Sequence, residues 1–243
     1  MKKVVIGLLF GVIILVLLAT VAVVIAKAQD RGKANAPDLE KIEFIHWKKG
    51  FARPETAKAP KPPSCYKFLT PTKVKWTSLP VNYVINPTNP QSLEPTFIGT
   101  AVSSSAETWD GATGKELMSD SYNFDYTATY GVQNYTNAIT FGNYPTVGVI
   151  AVTTVWYNPA TKAIAEFDVM FDNDWVWGDA TVDPGKMDLQ NIATHELGHG
   201  VGLNDVYQTD CSLVTMYGYS DYGEIQKRTL EAPDIKGLLT LYP

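Results

Sequence analysis

Residues 195–205 read His-Glu-Leu-Gly-His-Gly-Val-Gly-Leu-Asn-Asp, a set of side chains able to hold a metal ion with a base beside it. On a helix, His195 and His199 lie one turn apart on the same face, so both imidazoles reach one ion. Glu196 sits about 100° further round, close enough to take a proton from a water at that ion. Gly202 ends or sharply bends such a helix, and Asp205 returns as the third ligand. A site with three protein ligands keeps a position open for water, as catalytic zinc does and structural zinc does not. The chain has 3 histidines, and two stand in this stretch, which makes a chance match of the spacing improbable. His46, far upstream beside Trp47, reads as a structural or surface residue. Asp210 is the reserve third ligand.

This stretch resembles the metzincin branch of the zinc peptidases, whose pattern falls on His195, Glu196, His199, Gly202 and Asp205. Ser212–Gly218 is similar to the methionine turn of that branch, with Met216 as the sulfur floor under the metal; alone, Met216 would be an ordinary core residue. The likeness is to the matrixin group and covers about residues 73–243. It extends to Ala106–Asp110, to Ala165–Asp172 with Trp175 and Trp177 following, and to Asp234–Leu238 running to Leu241-Tyr242. It implies a zinc endopeptidase acting on extended polypeptides through a metal-bound water, with Glu196 as general base. It also implies that the substrate adds a strand to the sheet edge, here around Val147–Tyr157. Calcium is a second implied ion, for which Asp168, Asp172, Asp174 and Asp179 are candidates; the other reading is a solvated acidic loop. There are departures. Asp205 stands where animal matrixins use histidine, and the histidines of the family's structural zinc site are missing. Gly218 occupies a position where some metzincins have tyrosine. Asn204, Val214, Tyr217 and Tyr219 are candidate walls of the S1′ pocket. The contending class is a catalytically silent, zinc-containing extracellular binding module.

Residues 1–28 read as a membrane anchor or signal peptide. Lys2 and Lys3 precede an uncharged run from Val4 to Ala26, about 34 Å as a helix and enough to cross a membrane. Ala26-Lys27-Ala28 also suits signal cleavage. Either outcome puts the remainder outside the cytoplasm, anchored at the cell membrane or secreted. Residues 29–72, rich in proline, read as a stem or pro-segment, in which Ile42–Trp47 forms a strand or an apolar plug. Residues 73–243 are the catalytic domain. Cys65 and Cys211 are the only 2 cysteines, and in an exported chain they suggest one disulfide. The rival comes from the resemblance: matrixin precursors hold a propeptide cysteine on zinc, although Pro62-Pro63-Ser64-Cys65-Tyr66 lacks that family's surrounding pattern. A formal charge of −5 without basic blocks argues against nucleic acid as a partner; the partners that the resemblance implies are polypeptide substrates, and the chain is expected to be a monomer.

The elements that must position the site follow in order. Val81–Ile85 begins a sheet, and a helix from about Leu93 to Trp109 carries Phe97, Ala101, Val102, Ala106 and Trp109 at helical spacing. Strands follow at Phe124–Tyr130, Ala138–Phe141 and Gly148–Tyr157, the last forming a hairpin with Ile164–Phe171 across Asn158–Thr161. The ligand helix starts near Asp188, and a short final helix starts near Pro233. The fold class is α+β: a twisted mixed sheet of the metzincin type, an active-site helix, and a small C-terminal subdomain with the methionine turn and last helix.

Overall fold

In chain order, the strands are β1 (Glu40–Lys48), β2 (Lys67–Phe68), β3 (Val84–Ile85), β4 (Asn123–Phe124), β5 (Ala138–Gly142), β6 (Val149–Asn158), β7 (Ala163–Asp172), β8 (Trp177–Gly178), β9 (Met187–Asp188), β10 (Leu203–Asn204) and β11 (Tyr219–Ser220). The helices are α1 (Pro95–Asp110), α2 (Leu189–Gly200) and α3 (Ala232–Leu241). They come from a computed structural model that describes residues 38–51 and 65–243. The architecture is α+β, built on a mixed sheet in the order β11-β1-β6-β7-β5-β3-β4.

The centre of the sheet is the β6–β7 hairpin. Val149–Tyr157 is a run of β-branched and aromatic residues buried along its length, the composition of a strand covered on both faces. Asn158 turns the chain by accepting from the amides of Ala160 at 2.9 Å and Thr161 at 3.1 Å. β7 pairs in parallel with β5, and β5 with β3. β4 is only two residues long, because Asp125 accepts from the amide and hydroxyl of Thr127 and bends the chain out of the expected Phe124–Tyr130 strand.

α1 and α2 supply helical faces to one core. Ile98, Val102, Ala106 and Trp109 of α1 join Ile192, Ala193 and Leu197 of α2 and Ile139, Val169 and Phe171 of the sheet. The Trp109 indole donates to the Thr194 carbonyl at 2.8 Å, which holds α1 against α2. Pro95 opens α1 and Asp188 caps α2, accepting from the Asn191 amide.

Two expectations are corrected here. No helix among the described residues is long and apolar enough to cross a membrane, and the run from Val4 to Ala26 lies outside the described residues. The anchor and signal readings, with the membrane partner and the location they implied, are therefore not carried forward. The second concerns the sheet edge. β6 is an interior strand, because β1 pairs antiparallel with it from Glu40↔Tyr157 to Trp47↔Val149. β11 then lies parallel to the end of β1, through Trp47↔Tyr219 and Lys48↔Ser220.

Candidate active site

α2 presents its two histidines as one unit, with ring centroids 4.9 Å apart and planes at 88°. Each ring is fixed from behind by a backbone carbonyl. Nδ1 of His195 donates to Thr215 at 2.7 Å, and Nδ1 of His199 donates to Leu203 at 2.9 Å. With the proton on Nδ1, each Nε2 carries a lone pair forward.

Asp205 reaches the same point because α2 stops at once. Gly202 has φ +111, and a Cβ there would lie 2.8 Å from Leu241 Cδ1 and 2.9 Å from the Val74 carbonyl. Glycine therefore meets both the turn and the close approach. β10 pairs with β2 directly afterwards, and Asp205 Oδ1 arrives 3.1 Å from His195 Nε2 and 3.5 Å from His199 Nε2.

These three atoms are buried and without a hydrogen-bond partner. Three electron-rich atoms converging in a dry pocket repel one another unless a cation lies between them. Burial lowers His195 to about 4, which keeps it neutral. Burial opposes charge on Asp205 too, but the His199 and His195 rings outweigh it and hold the carboxyl well below its usual range. The donor set of two imidazoles and one carboxylate fits zinc. His195, His199 and Asp205 form one group able to hold an ion; His46, His195 and Glu196 form another.

The Glu196 carboxylate is completely buried. Its Oε1 lies 3.0 Å from Nδ1 of His46, and its Oε2 accepts from the Thr153 hydroxyl at 2.5 Å. Nε2 of His46 is 3.0 Å from Ser220 Oγ, so Ser220 donates to His46 and His46 donates to Glu196. Burial lifts the Glu196 carboxyl to about 7 and pushes His46 well below its ordinary value.

Met216 lies beneath the ligand helix. A Cβ on Gly198 would fall 2.3 Å from the Met216 sulfur and 2.7 Å from Trp109, so glycine lets both pack between the histidine positions. Asp234, in the first turn of α3, holds the turn from below by accepting from the amides of Thr215 at 2.9 Å and Met216 at 3.2 Å. Lys227, fully buried, donates to the carbonyls of Tyr217 and Tyr219 and fixes the segment leading into β11. Tyr217 and Val214 share a small apolar cluster with Val206 and Cys211. Asn204 lines a groove with Tyr66–Pro71.

Cys65 and Cys211 are joined by a disulfide, so the Cys65 sulfur is not at the histidine cluster. Asp210 lies exposed in the 3₁₀ turn Thr209–Cys211, outside that cluster. The calcium expectation finds no support. None of Asp168, Asp172, Asp174 and Asp179 belongs to a group able to hold an ion among the described residues. Asp168 accepts from the amides of Gly131 and Ala138, and Asp172 from those of Tyr144 and Asp174. Asp179 is taken up by Thr181 and Arg228, and Asp174 is exposed.

The sequence reading did not place His46, Thr153, Ser220, Asp234 or Lys227 at the site. Only His46 carried a usable signal, as the one remaining histidine in a His-poor chain. The matrixin family model matches residues 75–243, which takes in both histidines, Glu196, Asp205 and Met216. The chain belongs to the matrixins, a family of zinc metalloendopeptidases.

Proposed function

We propose that the chain hydrolyses peptide bonds of extended polypeptides at a zinc held by His195, His199 and Asp205, with Glu196 as general base. The observation that carries this reading is the convergence of Nε2 of both histidines and Oδ1 of Asp205, all buried and all lacking a donor. Zinc, when bound, polarises the scissile carbonyl and acidifies the attacking water. The remaining work falls to the chain. The carbonyls of Thr215 and Leu203 hold the two imidazoles in the ligating tautomer. Glu196, one residue from His195 on the same helix, takes a proton from water and returns it to the departing amine. Thr153 holds Oε2 of Glu196, so the proton is handled at Oε1, the oxygen that His46 holds in this structure.

Zinc content and cleavage of an unfolded polypeptide by the full chain test this. Asp205→Ala and His195→Ala are expected to lose zinc. Glu196→Ala should keep the parent's zinc and lose activity by roughly 10²–10⁴-fold. Equal cleavage by parent and Glu196→Ala would overturn the assignment of the base.

A further inference from the structure

A base that takes a proton from water must meet water, yet Glu196, His195 and His199 are each 0 % exposed, and one strand covers all three. β1 runs between β6 and β11, paired to both, so an extended segment of the chain itself is threaded across the metal ligands. Its inward side chains land on the machinery. Phe44 stacks on the His199 ring at 4.2 Å and 14°. His46 lies over the His195 ring at 3.9 Å and holds Oε1 of Glu196, the oxygen that Thr153 leaves free.

β1 is also separable from the catalytic part. The family match begins at residue 75, and β3 to β7, α1, α2 and α3 all lie within it, whereas β1 lies before it. Taking β1 away would turn β6 into an open edge with unpaired amides and carbonyls, the surface to which an extended peptide adds as a strand. The end of β1 is tied by Lys48 to Asp221 at 2.9 Å and by Lys49 to Glu224, partly exposed pairs that contribute little. Its docking rests on buried Phe44, His46 and Trp47.

We propose that β1 is an inhibitory strand carried within the chain: it fills the polypeptide groove between β6 and β11, His46 caps Glu196, and substrate enters only when β1 withdraws. This rests on the hydrolytic reading above. It assigns to a histidine-bearing strand the blocking role for which Cys65, bonded to Cys211, is not available.

The experiment uses the zinc-loaded full chain, the double variant Phe44→Ala/Trp47→Ala and the single variant His46→Ala. Two quantities are read: the cleavage rate of an unstructured polypeptide, and the affinity for an extended, non-hydrolysable peptide followed by fluorescence anisotropy. Truncating two buried aromatics weakens β1 docking, so the double variant should raise both rate and affinity on the order of 100-fold at unchanged zinc content. A strand with a merely structural role gives the opposite sign, because loosening it lowers activity. A folded double variant that binds the peptide no better than the parent overturns the proposal. Tighter peptide binding with no cleavage by any form keeps the inhibitory strand and sinks the hydrolytic reading instead. If the double variant does not fold, His46→Ala decides: a higher cleavage rate supports the proposal, and an unchanged or lower rate overturns it.

Discussion

The Tyr207 hydroxyl donates to Oδ2 of Asp205 at 2.7 Å, leaving Oδ1 to face the two histidines. Gly218 makes this possible, since a Cβ there would fall 2.4 Å from the Tyr207 ring. The tyrosine that steadies Asp205 thus precedes Met216 in sequence, and glycine follows it. Tyr207→Phe removes the hydroxyl and keeps the ring. Zinc affinity, measured by competition with a chelating indicator, is expected to fall roughly 10–100-fold. An unchanged affinity would show that Asp205 needs no such support.

Asp234 joins the last helix to the site. It accepts from Thr215 and Met216, and the Thr215 carbonyl in turn accepts from His195. Asp234→Ala leaves buried amides without acceptors, at a stability loss on the order of 3 kcal/mol. Chemical denaturation measures the loss. Zinc affinity is expected to fall with it, because the carbonyl behind His195 loses its anchor; intact affinity in a destabilised variant would uncouple the two.

Asp110 sets a pH dependence apart from His195, His199 and Asp205. It ends α1, is buried, and accepts with Oδ1 from the amides of Leu117 and Met118, while Oδ2 lacks a hydrogen-bond partner. Burial raises its carboxyl from 3.8 to about 6, against the pull of those amides. The folded chain therefore binds this proton more tightly than the unfolded chain. Its contribution to stability is greatest below pH 3.8, falls as pH rises toward about 6, and is flat above. Asp110→Asn keeps an acceptor for both amides and removes the titration. Unfolding midpoints across that window should fall less steeply with pH in the variant than in the parent. Parallel curves would contradict the assignment.

The disulfide spans 146 residues of sequence, so its loss frees a long loop in the unfolded chain. Loop entropy sets the destabilisation of Cys65→Ser/Cys211→Ser on the order of 5 kcal/mol, before any relief of native strain. Denaturant unfolding checks the figure, and a negligible shift would show that the unfolded chain stays compact without the bridge.

What could be read from the sequence was local. His195, Glu196 and His199 announce themselves because one helix turn brings them together, and Asp205 follows because Gly202 can take a positive φ. The β6–β7 hairpin was legible in its apolar run and in Asn158. The His46–Glu196 contact joins residues 150 apart, and no periodicity reports which strand a distant edge will accept. Ile42–Trp47 reads as a strand from composition, but its place between β6 and β11 depends on an edge formed much later in the chain. Asp125 curtailed β4 through a side-chain turn of a kind that a run of aromatic residues conceals. Asp168 and Asp172 looked like ion ligands because acidity is visible in a sequence, whereas the amides that occupy their oxygens are not.

The most direct test of hydrolysis by Glu196 compares the Phe44→Ala/Trp47→Ala chain with the same chain carrying Glu196→Gln, at equal zinc content. Rapid cleavage of an unstructured polypeptide is expected from the first and a loss of roughly 10²–10⁴-fold in the second, with peptide binding retained. Equal rates in the two chains, or no cleavage by either despite bound zinc and bound peptide, would contradict it.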